Sequence, residues 1–187
     1  MRYSQINKTG LYGLIVSFFC FALVACSGQT HAPSTQEQSI NAPVQIYLVR
    51  HAEKTKDKTD PALTQAGQTR AELLADMLID SGITHIHSSD YTRTRDTAAP
   101  LAQRLGLEVA LYDPRDLEGM AKKLKAIEGR HLVVGHSNTT PPLTDLLGGE
   151  GGSPIVEATE YDRLYYVTIA ANGEVRTTLL RFGEGGE

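Results

Sequence analysis

Val44-Gln45-Ile46-Tyr47-Leu48-Val49-Arg50-His51 is the stretch from which the rest of the chain can be read. Its first six residues form an apolar, β-rich run that suits a short buried strand, and the run stops at two polar, chemically active side chains. Downstream, Ile83 to His87, Leu107 to Tyr112 and His131 to Val134 predict three more strands. Helical spacing fills the gaps. Thr64 is the expected N-cap of a helix whose stripe is Ala71, Leu74, Ala75 and Leu78, ending at Ser81-Gly82. Ser88-Ser89-Asp90 is expected to cap a helix from about Tyr91 to Leu105, ended by Gly106. A third helix is expected to start at Asp113-Pro114, with Leu117, Met120, Leu124 and Ile127 on one face, and a fourth covers Pro142 to Leu147. Leu164 to Ala170 and Val175 to Arg181 flank Asn172-Gly173, a hairpin signal, with one of the two strands antiparallel to the rest. Strands alternating with helices give an α/β fold: three layers, α/β/α, around a mostly parallel sheet.

Upstream of Val44 the composition changes. Arg2 and Lys8 precede an apolar run from Leu11 to Ala25. Fifteen helical residues span about 22 Å, short of a hydrocarbon core of roughly 30 Å, so residues 1–25 read as a secretory leader. Its end, Leu23-Val24-Ala25-Cys26, resembles a bacterial lipobox, which implies cleavage before Cys26 and lipidation there. Ser27, rather than Asp, resembles the sorting pattern of Gram-negative outer-membrane lipoproteins, so the expected address is the periplasmic face of that membrane. Residues 26–43 are polar and without apolar period, a tether between anchor and globule, leaving 44–187 as the single domain. The other cysteine, Cys20, lies in the leader, so the mature domain has no thiol to pair. Removing the leader takes away two of 18 basic residues and none of 22 acidic ones, leaving a net charge of −6. That balance argues against nucleic acid as a partner, and any anion site must be a local positive pocket on an acidic body. A monomer is expected.

In open α/β sheets, ligands bind beyond the carboxyl ends of the strands. Three polar clusters fall there: Arg50-His51, Ser88 to Arg95, and Gly135-His136-Ser137-Asn138. Two His and two or three Arg on one edge outline a phosphate pocket, because guanidiniums match phosphate oxygens in pairs and a helix amino terminus adds backbone donors. Arg95, two positions past Arg93, is expected to face elsewhere. Gly-His-Ser-Asn lacks the Gly-x-Ser-x-Gly elbow of a serine hydrolase. No His/Cys/Asp cluster has metal-ligand spacing, so neither metal nor cofactor is expected. His31, His85, His87 and His131 read as structural or solvated imidazoles.

Leu48-Val49-Arg50-His51-Ala52-Glu53-Lys54 resembles the signature of the histidine phosphatase (phosphoglycerate mutase-like) superfamily. Ser88-Ser89-Asp90-Tyr91-Thr92-Arg93-Thr94-Arg95-Asp96-Thr97-Ala98 resembles its second motif, and Val133-Val134-Gly135-His136-Ser137-Asn138-Thr139 its third. Asp60-Pro61-Ala62-Leu63-Thr64-Gln65-Ala66-Gly67 matches the family's entry to its first helix. The resemblance implies a phosphatase in which His51 attacks phosphorus, Arg50 and Arg93 bind the phosphoryl oxygens, and His136 donates a further hydrogen bond to them. Water then hydrolyses the phosphohistidine, with no metal needed. Lys54 and Asn138 are candidate substrate-binding residues, and the expected partner is a small phosphorylated compound.

The chain departs from the family pattern at the general acid. Larger members carry a Glu or Asp after the third strand, with an inserted lid. Here Leu111-Tyr112-Asp113-Pro114-Arg115-Asp116-Leu117-Glu118 is short and lacks that pattern. Asp113 is the candidate acid, with a helix-capping role ahead of Pro114 equally open. The compact outline resembles the small phosphohistidine phosphatases more than the mutases. The alternative reading is an envelope lipoprotein that binds anions without turnover.

Overall fold

The computed structural model describes residues 43–185. The leader, Cys26 and the tether up to residue 42, as read from the sequence, lie outside the described residues. Ten elements follow one another: β1 Val44–Arg50, α1 Gln65–Leu78, β2 His85–Ser89, α2 Thr92–Leu105, β3 Val109–Tyr112, α3 Leu117–Ala126, β4 Arg130–Gly135, α4 Thr140–Leu146, β5 Arg163–Ile169 and β6 Val175–Arg181. One six-stranded sheet has the order β3-β2-β4-β1-β5-β6. The first four in that order run parallel, β5 is antiparallel to β1, and β6 is antiparallel to β5. This is the expected α/β architecture, with the tail hairpin extending the sheet beside β1.

Alternation along the strands sorts the core into two layers. Val49, Ile86, Leu132 and Val134 face α1 and α2, packing with Leu74, Leu78, Ala98 and Leu101. Ile46, Leu48 and Val133 face the other way, onto Met120, Leu124, Leu143 and Leu147 of the α3–α4 layer. The helices therefore cover both faces of the β3-β2-β4-β1 part of the sheet and leave its strand ends open for a ligand, while β6 at the far edge is largely exposed.

Several boundaries differ from the sequence expectations, and three of the differences have a local reason. β2 runs two residues later, His85–Ser89, because His87, Ser88 and Ser89 are buried in the sheet despite their polarity. Tyr91, the N-cap of α2, contributes no side-chain capping bond, nor does Ser88-Ser89-Asp90. Asp60 does that from a distant loop, accepting from the Thr92 backbone N–H at 2.9 Å and the Thr92 hydroxyl at 2.6 Å. α3 starts at Leu117, capped by Asp116, whose carboxylate accepts from the Gly119 N–H at 2.9 Å. Pro114 lies in the turn before it.

Candidate active site

β1 and β4 are neighbours, and their parallel register pairs Arg50 with Gly135. One residue further on, His51 and His136 leave the sheet side by side. The His51 N–H donates to the Gly135 carbonyl at 2.9 Å, and the two rings meet edge-on with centroids 5.4 Å apart. β2, on the far side of β4, delivers Ser89 and then the first turn of α2 with Arg93. Thr97 ties that helix to the loop that follows β1, accepting from the Ala52 N–H at 3.0 Å. His51, Arg93 and His136, read separately from three motifs, are thus brought to one sheet edge.

His51 is 2% exposed, and its Nδ1 lies 2.7 Å from the Ala52 carbonyl. A carbonyl only accepts, so Nδ1 carries the proton and Nε2 keeps a lone pair. Burial lowers the His51 pKa from 6.5 to about 3; the Ala52 carbonyl opposes this, while the positive fields of Arg50 and Arg93 and the neighbouring His136 add to it. The ring is therefore neutral at ordinary pH, as a nitrogen nucleophile must be.

His136 is held by a run of side-chain hydrogen bonds. An Arg93 guanidinium nitrogen lies 3.4 Å from its Nδ1, and Ser89 Oγ lies 2.9 Å from its Nε2. Arg93 can only donate, so Nδ1 accepts and Nε2–H donates to Ser89, whose hydroxyl passes a bond to Thr94 Oγ1 at 3.1 Å. Burial and Arg93 lower the His136 pKa to about 4. In this arrangement the Nδ1 lone pair of His136 is taken up by Arg93. Donation to a phosphoryl oxygen, the role implied by the resemblance, needs the other tautomer, which the Ser89 hydroxyl supports by turning its proton toward Nε2.

Arg50 departs further from its expected role. It is 2% exposed, and its terminal nitrogens are committed to the chain. One donates to the Glu160 carbonyl at 2.9 Å and the Val156 carbonyl at 3.4 Å; the other donates to the Glu157 carbonyl at 2.8 Å and pairs with the Glu157 carboxylate at 2.9 Å. The guanidinium also lies 4.0 Å from the Tyr161 ring centroid. Among the described residues its Nε is buried without a partner, and so is Nε of Arg93. Buried donors of this kind are rare; Arg93 lines the cavity at this edge, whereas Arg50 does not.

The cavity at this edge has a volume of about 680 Å³, with His51, Arg93, His136, Asn138 and Glu157 in its wall. Lys54 is not among its lining residues; its backbone bridges to Leu63 instead. Asp113 is not in the wall either. It borders an adjoining hollow, where its carboxylate accepts from the Arg115 side chain at 2.9 Å twice and from the Arg115 N–H at 3.0 Å. Those bonds lower its pKa and hold it ionised, which suits neither an acid nor a cap of α3. Arg95 turns to Asp90 and Asp60, as its helical position predicts. Sequence reasoning passed over Glu157 and Tyr161, because residues 148–162 carry no period and no motif. Ser89 sat inside a quoted motif and was read only as a cap.

Known proteins agree with this geometry. The model of the histidine phosphatase superfamily (branch 1) matches residues 46–115. The probable phosphoglycerate mutase GpmB of Serratia proteamaculans is 40% identical over 79 residues, and that of Escherichia fergusonii 42%. In each case the match spans 38% of this chain and only 36% of the relative. Among solved structures, a mycobacterial glucosyl-3-phosphoglycerate phosphatase superposes with a TM-score of 0.57 at 16% identity, covering 75% of this chain and 98% of that one. The protein histidine phosphatase SixA complexed with tungstate gives 0.56 at 18%, covering 73% and 96%. Phosphoserine phosphatase from Entamoeba histolytica gives 0.55 at 15%, covering 75% and 98%. The motif around His51, the sheet order and these likenesses converge on the histidine phosphatase superfamily.

Proposed function

We propose that this chain is a phosphatase that hydrolyses phosphate monoesters or phosphoramidates through a phosphohistidine on His51. The observation that carries the reading is a neutral His51, its Nε2 lone pair uncommitted, in the wall of one cavity with Arg93 and His136. Nε2 attacks phosphorus, and the bond to the leaving group breaks. Arg93, the Nε of Arg50 and His136 in its Nδ1–H tautomer stabilise the charge on the phosphoryl oxygens. Water then attacks phosphorus and returns the electron pair to Nε2. The guanidiniums supply the positive charge that a metal supplies elsewhere, so chelators should leave turnover unchanged. Hydrolysis is favoured over a mutase reaction by the four residues between β3 and α3, too few for a lid that keeps water from the intermediate.

Rapid quenching with a phosphate-labelled substrate should trap label that is acid-labile and alkali-stable, the behaviour of a P–N bond. His51→Ala should lose the label and turnover together. Normal turnover in that variant would sink the proposal. The second reading, anion binding without turnover, draws on the committed nitrogens of Arg50; phosphate binding by a chain that never takes up label would select it. We further propose that Cys26 carries a lipid anchor, which directs the activity at phosphates in the cell envelope.

A further inference from the structure

Among the described residues, Glu157 is the one carboxylate in the wall of the His51 cavity. It lies in the segment between α4 and β5, where neither the motifs nor the helical pattern singled out a functional residue. This position is firmly held. Arg50 grips the carbonyls of Val156, Glu157 and Glu160 from one side. From the other, Glu160 accepts from the Arg163 Nε at 2.7 Å and the Val156 N–H at 3.0 Å, while Arg163 donates to the Ser153 carbonyl at 2.6 Å. Glu160 is held well below the usual carboxylate range, at about 2, chiefly by Arg163, and both partners are largely buried. The backbone of residues 153–160 is therefore fixed at several points, while the Glu157 side chain is 62% exposed and lies in the cavity wall. Its Oε2 pairs with Arg50 and accepts from the Ser137 hydroxyl, one residue past His136. A reacting group on a pinned backbone is what a productive proton transfer requires.

We propose that Glu157 is the proton shuttle of the reaction, resting on the phosphohistidine reading above. In the first step Glu157 takes a proton from solvent as its ion pair with Arg50 opens, the Nε2–P bond forms, the P–O bond to the leaving group breaks, and Glu157 gives that proton to the departing oxygen. In the second step water attacks phosphorus, the P–N bond breaks, and the Glu157 carboxylate takes the water proton. Release of that proton to solvent returns the carboxyl group to its starting state, so ester plus water gives alcohol plus phosphate with no other reactant. Asp113, bound to Arg115 outside the cavity wall, takes no part.

The test compares an alkyl phosphate with nitrophenyl phosphate in the full-length chain carrying Glu157→Gln. The ratio kcat/KM covers events up to release of the alcohol, so it isolates the acid role from the base role. An alkoxide needs a proton to leave and a nitrophenolate does not. The variant should lose about 10²-fold or more on the alkyl substrate, in line with general acid catalysis, and only a few-fold on the aryl one. With the aryl substrate, the fraction of enzyme labelled on His51 should rise at steady state, because water attack has lost its base. Asp113→Asn should leave the alkyl-to-aryl ratio unchanged. Glu157→Asp, a second route should the amide fail to fold, should show a smaller alkyl-selective loss. Equal losses on both substrates would overturn the shuttle and make Glu157 a counter-ion of Arg50. A uniform gain would overturn it too, and mark Glu157 as a competitor for the anion site. If the unmodified chain takes up no label, the phosphohistidine reading itself falls; if it labels normally and the ratio holds, only the shuttle does.

Discussion

His51 is where the chemistry of the site rests on one imidazole's protonation state. Burial removes it from water, its Nδ1–H is spent on the Ala52 carbonyl, and the nearby guanidiniums penalise a second positive charge. The imidazole signals of the free protein, followed by NMR across pH, should therefore show His51 titrating near 3, far below 6.5. Arg93→Ala should move that titration upward by removing one cation. A titration near 6.5 in the unmodified chain would contradict the burial argument. The linkage has a definite sign. A depressed histidine pKa means the unfolded chain binds more protons between the two values, so the stability is full above about 6.5 and is lost as pH falls toward about 3. His51, Arg93 and His136 were legible because chemistry fixes their types and the strand ends fix their places. Arg50 was legible as a residue but not in its contacts, since the carbonyls of 156, 157 and 160 reach it only through the fold. Glu157 could not be found at all: a single acid in an aperiodic loop looks like any solvated one.

Helix α2 shows what a linear reading misses at the scale of elements. Its stripe and its Gly106 terminus, at a φ of 65°, were plain in the sequence, since both are local. Its cap is not local: Asp60, 32 residues upstream of Thr92 and itself at a φ of 43°, supplies the acceptors. Asp and Asn tolerate the left-handed region better than most residues, and a carboxylate also suits the helix's positive end. Asp60 further lies 3.8 Å from the Arg93 guanidinium, so one side chain both starts the helix and steadies Arg93, the proposed phosphate ligand. Asp60→Ala should cost about 1 kcal/mol of stability by urea unfolding, toward the lower end of cap losses because the site is partly exposed. It should also raise KM for phosphate esters, as Arg93 loses a restraint. Asp60→Asn should recover most of the stability, since the amide oxygen can still accept from Thr92. Equal destabilisation by both variants would show that charge, not capping, is the larger effect. The same logic explains β2, whose polar His87, Ser88 and Ser89 read poorly as a strand until β3 and β4 are paired on either side.

For the whole molecule, β1 sets a direction. The chain enters the sheet at Val44 and reaches the cavity at His51, so the domain's entry point and its site lie at opposite ends of a seven-residue strand, roughly 23 Å apart. Whatever precedes Val44 joins the domain away from the strand ends that carry the chemistry. The leader and the lipid anchor on Cys26 are proposals drawn from sequence alone, because targeting signals act as linear patterns before folding, without tertiary context. With the leader removed, the chain carries a net charge of −6, so an anionic lipid surface repels it on average. Membrane association must then come from acyl chains on Cys26, which bind by buried hydrocarbon at about 0.8 kcal/mol per CH₂. Cys26→Ala should therefore abolish lipid labelling and shift the full-length chain from the membrane to the soluble fraction. Lowering the ionic strength should not restore binding, because no basic surface is being screened. Turnover per molecule should stay unchanged, since the chain enters the domain at Val44, a strand's length from the His51 cavity. Membrane association that survives the substitution, or that returns at low salt, would reject the lipid anchor and point to a protein or headgroup contact instead.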